Sequence, residues 1–349
     1  MGTILANPKG TNLSRYLIAL ILADGERRAA ADYARKRWAD SPAVYLTLEH
    51  RKTAVDPGTT YDDSPSWTWG SELAAYGIAQ ELLELVRGVS VLGRLNPFMR
   101  ATPFRTRVPR ETTAATAGWV SESEDKPAAK LAYDDLQLEA YKSAIISVIS
   151  QELARMSTPA AEAAIRNSLV ASIASFLDAQ FLEVTVALVA GDHPASVANG
   201  AQTVNSTGPS SAQILTDLHG MIAKLAFWTS PFWVMKPATA AHIAASSSSI
   251  FPEIRATPDG GYLAGIPVIN STNSPAQITL LDASDILYAD DGATRISLSG
   301  NATVELDTAP GQGTLTSLWQ KNLVGIKVER EISWLRGHDT SVVSMTVAY

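Results

Sequence analysis

Five histidines (His50, His193, His219, His242 and His338) are scattered through 349 residues. None shows the spacing that sets two imidazoles on one helix face for a metal ion. Only Asp192-His193 places a carboxylate beside an imidazole, and its position after Gly191 points to a plain turn. The acidic pairs Asp62-Asp63, Asp134-Asp135 and Asp290-Asp291 have no neighbouring base suited to acid–base chemistry, so solvated loops are expected for them. There is no cysteine, which excludes disulfides, thiolate metal sites and thiol nucleophiles. No G-x-S-x-G elbow occurs. Gly311-Gln-Gly313 follows a predicted strand (Val304 to Asp307), but without a third glycine or a Lys-Ser/Thr partner it reads as a flexible turn rather than a phosphate loop. The expectation is a protein that is not an enzyme and needs no cofactor or metal. The densest chemistry is cationic: Arg94, Arg100, Arg105, Arg107 and Arg110. These face the acidic stretch Ser121 to Asp125, and pairing with carboxylates of the opposite hairpin strand or of a neighbouring chain is favoured over phosphate.

The totals agree. A net charge of −7 leaves no global basic footprint for reading duplex DNA. Charged residues make up 18% of the chain, below the usual ~25%, which suits a surface hidden against copies of itself. No apolar run approaches the ~20 residues that span a bilayer, so no membrane partner is expected. The best candidate, Tyr16 to Ala23, reads as a buried amphipathic helix rather than a signal peptide. Length predicts about two domains.

The elements that must position these residues follow from periodicity. Residues 13–39 read as one helix, or two broken at Asp24-Gly25, with Asn12 as N-cap. From Ser41 to Trp69 the composition is that of a linker or arm. A helix runs from about Ser71 toward Gly88. After Pro97 comes a long charged hairpin, then a strand beginning with the alternation Leu136 to Ala140 and continuing to Ile149. Thr158-Pro159 opens the longest helix, whose stripe is Ile165, Leu169, Ile173, Leu177, Phe181 and Val184. A loop covers Gly191 to Ser211. Further helices are predicted at Ala212 to Ala226 and Ala238 to Ala245, and a strand at Phe232 to Lys236. Short strands follow at Ile266 to Ile269, Ile278 to Leu281, Ile286 to Tyr288 and Ile296 to Leu298. In the last strand, Ile326, Val328, Ile332 and Trp334 share one face.

Six short motifs stand in one order: Gly118-Trp-Val-Ser-Glu122, Ser147 to Leu153, Phe176 to Leu182, Trp233-Val-Met-Lys-Pro-Ala-Thr239, Leu263-Ala-Gly-Ile-Pro-Val-Ile269 and Asn322 to Arg330. Together they resemble the major capsid proteins of tailed double-stranded DNA bacteriophages, the Hong Kong 97-like family, over roughly Trp69 to the C-terminus. Lys236 stands where the family has Asn.

The resemblance implies an α+β fold with a long spine helix, a peripheral sheet, an axial α/β domain, an extended β-hairpin loop and an N-terminal arm. Mapped on this chain, residues 1–65 are the arm or a scaffold-like segment. Residues 66–97, 134–211 and 304–349 form the peripheral domain with the spine helix at about 158–190. Residues 98–133 are the extended loop and 212–303 the axial domain. The implied role is a structural subunit of the virion capsid, assembled in the host bacterial cytoplasm as hexamers and pentamers around double-stranded DNA. A shell protein of an encapsulin-like nanocompartment is the alternative; a hydrolase or nucleotide-binding enzyme is more remote. The implied partners are the chain itself, a portal, a scaffold or maturation protease, decoration proteins, and packaged DNA held nonspecifically. Arg27, Arg28, Arg35 and Arg37 on the N-terminal helix are the candidate DNA contacts, although on a mixed-charge face such arginines more commonly pair with acidic neighbours or keep a surface helix soluble. The loop residues expected against a neighbour are Trp119, Val120, Glu122, Glu124, Asp125 and Lys126. Some members cross-link covalently; by that resemblance Lys126 or Lys130 would supply an amine to Asn322 beside Glu329.

Overall fold

The computed structural model describes residues 9–23, 25–49, 81–113, 119–121, 125, 132–156, 158–246, 251–306 and 315–347. It has the mixed class expected, helices and strands interleaved without a regular βαβ order. Helices α1 (Thr11–Leu22), α2 (Arg27–Arg37), α3 (Pro42–Glu49), α4 (81–89) and α5 (Val91–Leu95) precede β1 (Arg100–Ala101). The hairpin β2 (Arg107–Thr113) and β3 (Ala132–Gln137) leads to β4 (Tyr141–Ser150), α6 (Gln151–Met156) and α7 (Pro159–Leu182). There follow β5 (Gln202–Thr203), α8 (Ser211–Lys224), β6 (Pro231–Met235), α9 (Pro237–Ser246), β7 (Tyr262–Leu263), β8 (Ile266–Asn270) and β9 (Gln277–Asp282). The chain closes with β10 (Ile286–Ser299), β11 (Thr303–Glu305), β12 (Leu315–Ser317), β13 (Leu323–Arg336) and β14 (Val342–Thr346).

Two compact units emerge: Met1–Gly93 with Ser143–Phe176 and Gly292–Glu331, and Arg94–Lys142 with Leu177–Asp291 and Ile332–Tyr349. In the first unit, α1 is a core element. Leu13, Leu17, Ile18, Leu20 and Ile21 are buried, the set a 3.6-residue period places inward with its flanks. The expected N-cap, Asn12, lies inside the helix. The cap position is Gly10, at φ 85, and the missing acceptor comes from far along the chain: Glu81 takes the Gly10 N–H at 2.5 Å and the Leu13 N–H at 3.2 Å. Gly10 is required twice over, by its left-handed backbone and because a Cβ would lie 2.2 Å from Arg166 Cδ.

The predicted break between α1 and α2 is present, with Gly25 at φ 83. The linker expectation fails for residues 42–49, which form α3 and bury Val44 and Leu48. Ser41-Pro42 is a helix-opening dipeptide, outweighed in the sequence by the Pro, Gly and Asp beyond it. Of the helix expected from Ser71, residues 81–89 are described and helical.

The second unit is built on a six-stranded sheet of order β5-β14-β9-β6-β8-β7. Its core joins Trp233, Met235, Ile278, Leu280 and Val343 from the strands to Ile214, Leu218 and Ile243 from α8 and α9. Trp233 is fully buried and its indole N–H donates to the Leu263 carbonyl at 3.1 Å. Helix α8 starts with a capping box, Ser210 with Gln213.

Three boundaries differ from expectation. The strand predicted from Leu136 to Ile149 is two, because residues 138–140 leave the ladder between β3 and β4. The pieces at Ile286 and Ile296 are one 14-residue strand, β10, since backbone pairing carries it through Asp290-Asp291-Gly292 where side-chain alternation lapses. Helix α7 opens at Pro159 as predicted but ends at Leu182 rather than near 190, a length of about 36 Å. Its last carbonyls are taken from outside the helix: Val197 N–H donates to Phe181 O at 3.0 Å, and Gln277 Nε2 to Leu182 O at 2.7 Å. Strands β1, β10, β13 and β4 make a second sheet in that order.

Candidate assembly interface

The hairpin expected after Pro97 exists, and its register explains its charges. Strands β2 and β3 are antiparallel, with Pro109 opposite Asp135, Arg110 opposite Asp134, and an irregularity between Glu111 and Thr113. Arg110 meets the carboxylate directly across at 3.0 Å and also donates to the Gly337 carbonyl at 2.8 Å. Arg107 reaches diagonally to Asp135 at 3.6 Å. Arg94 pairs with Asp259 at 3.2 Å. The cross-strand pairing expected of the arginines is therefore real for two of them, but the partners are Asp134 and Asp135. That overturns the expectation that these two aspartates lie in a solvated loop. Asp290-Asp291 likewise lies within β10, where Tyr288 donates to Asp290 at 3.1 Å. Asp62-Asp63 falls outside the described residues.

Among the described residues of the hairpin, the core lies at its root. Val108, Leu138, Leu287 and Ala289 are buried together, with Phe104, Leu136 and Leu335 packed against them. Farther out, three large apolar residues are exposed: Trp119 at 106%, Tyr133 at 62% and Val120 at 38%. Asp125 is also exposed. Glu122, Glu124, Lys126 and Lys130 lie outside the described residues. A tryptophan wholly in water is a costly feature for a chain to keep unless a partner covers it. The sequence did not single out a second apolar surface, in the first unit. On and beside the hairpin β11–β12, Leu306, Leu315 and Trp319 are 50%, 76% and 72% exposed. Short apolar strands read as core, so nothing local marked them as outward.

The remaining candidates separate. Asn322 lies in a left-handed turn (φ 52) just before β13, and its carbonyl accepts the Gln151 N–H at 2.9 Å. Glu329 lies within β13, 3.2 Å from Lys327. Asn322 also borders an open, mainly polar cleft of about 280 Å³ with Gln151, Arg155, Asn301 and Trp319. His193 sits in the predicted turn, bridged to Val189. His338 was not read as paired, yet its Nδ1 lies 2.9 Å from Asp285 Oδ1 and its ring stacks on Phe227 at 4.6 Å. The separation of 53 positions between the partners hides this from sequence. Gly311-Gln-Gly313 and His50 fall outside the described residues. Among those described, no three His, Asp or Glu side chains could share a metal ion, and no helix is long and apolar enough to cross a membrane.

On α2, Arg27, Arg28, Arg35 and Arg37 are exposed while Ala30, Ala31 and Ala34 face inward. Arg35 pairs with Glu49 and stacks over Tyr45. Arg15 on α1 faces the Trp38 ring at 5.8 Å, pairs with Asp40 at 3.2 Å, and lies 3.5 Å from Glu162 on α7. Burial pushes the Glu162 carboxyl above the usual carboxylate range, with Arg15 pulling the other way.

Residues 73–332 match the model of the phage capsid family. The chain belongs to that family. A capsid polyprotein of Pseudomonas phage PAJU2 is 32% identical over 97% of this chain and 54% of its own length, so the chain spans about half of that curated relative. A solved chain of Microbacterium phage Oxtober96 superposes with TM-score 0.51 at 16% identity, covering 88% of this phage capsid family chain and 98% of its own. A chain from the capsid of a native GTA particle gives TM-score 0.51 at 13% identity over 86% and 95%. At such identities these two likenesses speak for a shared fold.

Proposed function

We propose that this chain is the shell-forming subunit of a phage head, of Hong Kong 97-like architecture. It associates with copies of itself as hexamers and pentamers around double-stranded DNA and performs no catalytic turnover. The observation that carries this reading is the arm from about residue 98 to 133: a hairpin whose core, among the described residues, lies at its root and which bears a fully exposed tryptophan. Such an arm gains stability chiefly from an adjacent molecule, and a head-to-tail contact that closes makes a ring. Family membership supports it, as does a low-charge surface with a second apolar patch at Leu315 and Trp319. Trp119 and Val120 form the packed part of the contact; Glu122, Glu124 and Asp125 form its ionic rim. Portal, scaffold or protease, and decoration proteins complete the particle, and DNA meets the inner wall through scattered cations.

Electron microscopy of the purified full chain tests this. Closed icosahedral shells, or rings of six and five, are expected. A chain that stays monomeric at high concentration overturns it.

A further inference from the structure

We infer that the open cleft of the first unit binds a carboxylate-bearing pyranose, a hexuronate ring of a glycan, with Trp319 under the ring and Arg155 on the carboxylate. Gln151, Arg155, Asn301, Trp319 and Asn322 line the cleft with Leu22 at the end of α1. Its volume of about 280 Å³ is near the lower end for small-ligand sites, ~300 Å³. Leu306 and Leu315 lie on or beside the hairpin β11–β12, whereas Trp319 lies beyond its end and borders the cleft.

Backbone contacts fix the walls. Gln151 and Arg155 stand four positions apart on α6, hence on one face. The Gln151 N–H donates to the Asn322 carbonyl at 2.9 Å, and the Asn322 N–H to the Trp319 carbonyl at 3.3 Å. Leu318, fully buried, donates its N–H to the Ala302 carbonyl at 3.0 Å, which ties the Asn301 segment to the turn that carries Trp319. Among the described residues, the side chains of Gln151, Arg155, Asn301 and Asn322 have no hydrogen-bond or ion-pair partner. Three carboxamides and a guanidinium are thus left to a ligand, beside an indole that is 72% exposed.

That set of groups selects the ligand. A carboxamide both donates and accepts, as a sugar hydroxyl does. Three of them around one indole suit a ring with polar groups along its rim and an apolar C–H face. A nucleobase carries polar atoms on its edges and sits between two apolar or aromatic faces, whereas this lining offers one exposed aromatic. Arg155 is the ionisable group of the lining, and its planar fork matches a carboxylate. The lining includes no carboxylate, so the pair that glycoside hydrolysis needs is missing and the cleft holds the sugar without cutting it.

Isothermal titration of the full chain with glucuronate and digalacturonate tests it, with glucose and cellobiose as neutral controls and thermal melts confirming the fold of each variant. The uronates are expected to bind with Kd about 1 mM, and the neutral sugars at least about fivefold more weakly. Trp319→Ala and Arg155→Gln are each expected to weaken uronate binding about tenfold, and Arg155→Gln to erase the preference over neutral sugars. Trp228→Ala, at an exposed tryptophan of the other unit, is expected to leave binding within about twofold. No uronate binding below about 10 mM, equal binding of the neutral sugars, or unchanged binding by the two cleft variants overturns the proposal. Tighter binding of AMP or of an acidic peptide at the same residues overturns it as well. Should Trp319→Ala not fold, Arg155→Gln decides alone. Sugar binding is read without assembly, so these outcomes are separate from the test of the shell reading.

Discussion

Arg15 Nε on α1 lies 3.5 Å from Glu162 Oε2 on α7, with the two side chains only 14% and 8% exposed. Around this pair stand Trp38, Asp40 and Ser41 on the Arg15 side, with Asp40 and Arg37 also acting on Glu162. The contact fastens the N-terminal helices to the longest helix, yet it places a carboxyl group where burial disfavours the charged form.

That geometry fixes a pH dependence. The Glu162 pKa is raised in the folded state, so its ionised form costs stability above the folded pKa. The cost is relieved as pH falls from the folded pKa toward the ordinary value of 4.5. Glu162→Gln is expected to match or exceed the native melting temperature at neutral pH and to flatten the pH profile in that window. Arg15→Ala is expected to cost about 3 kcal/mol at neutral pH and less in mild acid, as the stranded carboxylate takes up a proton. Thermal melts from pH 4 to 8 measure both; an Arg15→Ala deficit that grows in acid would contradict this account.

Glu81→Ala removes the remote cap of α1 and should lower stability by about 1 kcal/mol in urea titrations. Asn12→Ala, at the position local rules favour, should change it by less than about 0.5 kcal/mol. Equal effects would mean that the Glu81 contact does not act as a cap.

Leu17 is fully buried, and Leu17→Ala should cost about 2–5 kcal/mol. For the same reason, a chain lacking residues 1–49 is expected to melt far below the full chain or to be insoluble. An unchanged melting temperature would show that α1 adds nothing to the first unit's core.

Replacing residues 114–131 by a short turn should leave the melting temperature nearly unchanged, because the core of the arm lies at its root. Assembly should be lost, and Trp119→Ala should weaken it in the same direction. Sedimentation of the folded variants reads this out. A deletion variant that unfolds would instead place the arm within the subunit's own core.

By itself, the sequence determined the elements whose signal is local and periodic. Pro159 opening α7, its buried Ile165, Leu169, Leu177 and Phe181, and the strand and helix around Trp233 to Thr239 all follow from spacing and from the φ restriction of proline. The ordered motifs pointed to the family, and the hairpin to an arm. Only the tertiary structure decided which charges are spent within the chain. Arg107 and Arg110 are engaged while Arg100 and Arg105 have no ion-pair partner among the described residues, because strand register decides which side chains face one another. Glu81 capping α1, Asp285 holding His338, and Arg15 meeting Glu162 join residues 53 to 147 positions apart. No sequence window spans such pairs, since they form only when packing brings distant segments together and the gain outweighs the entropy of closing the loop.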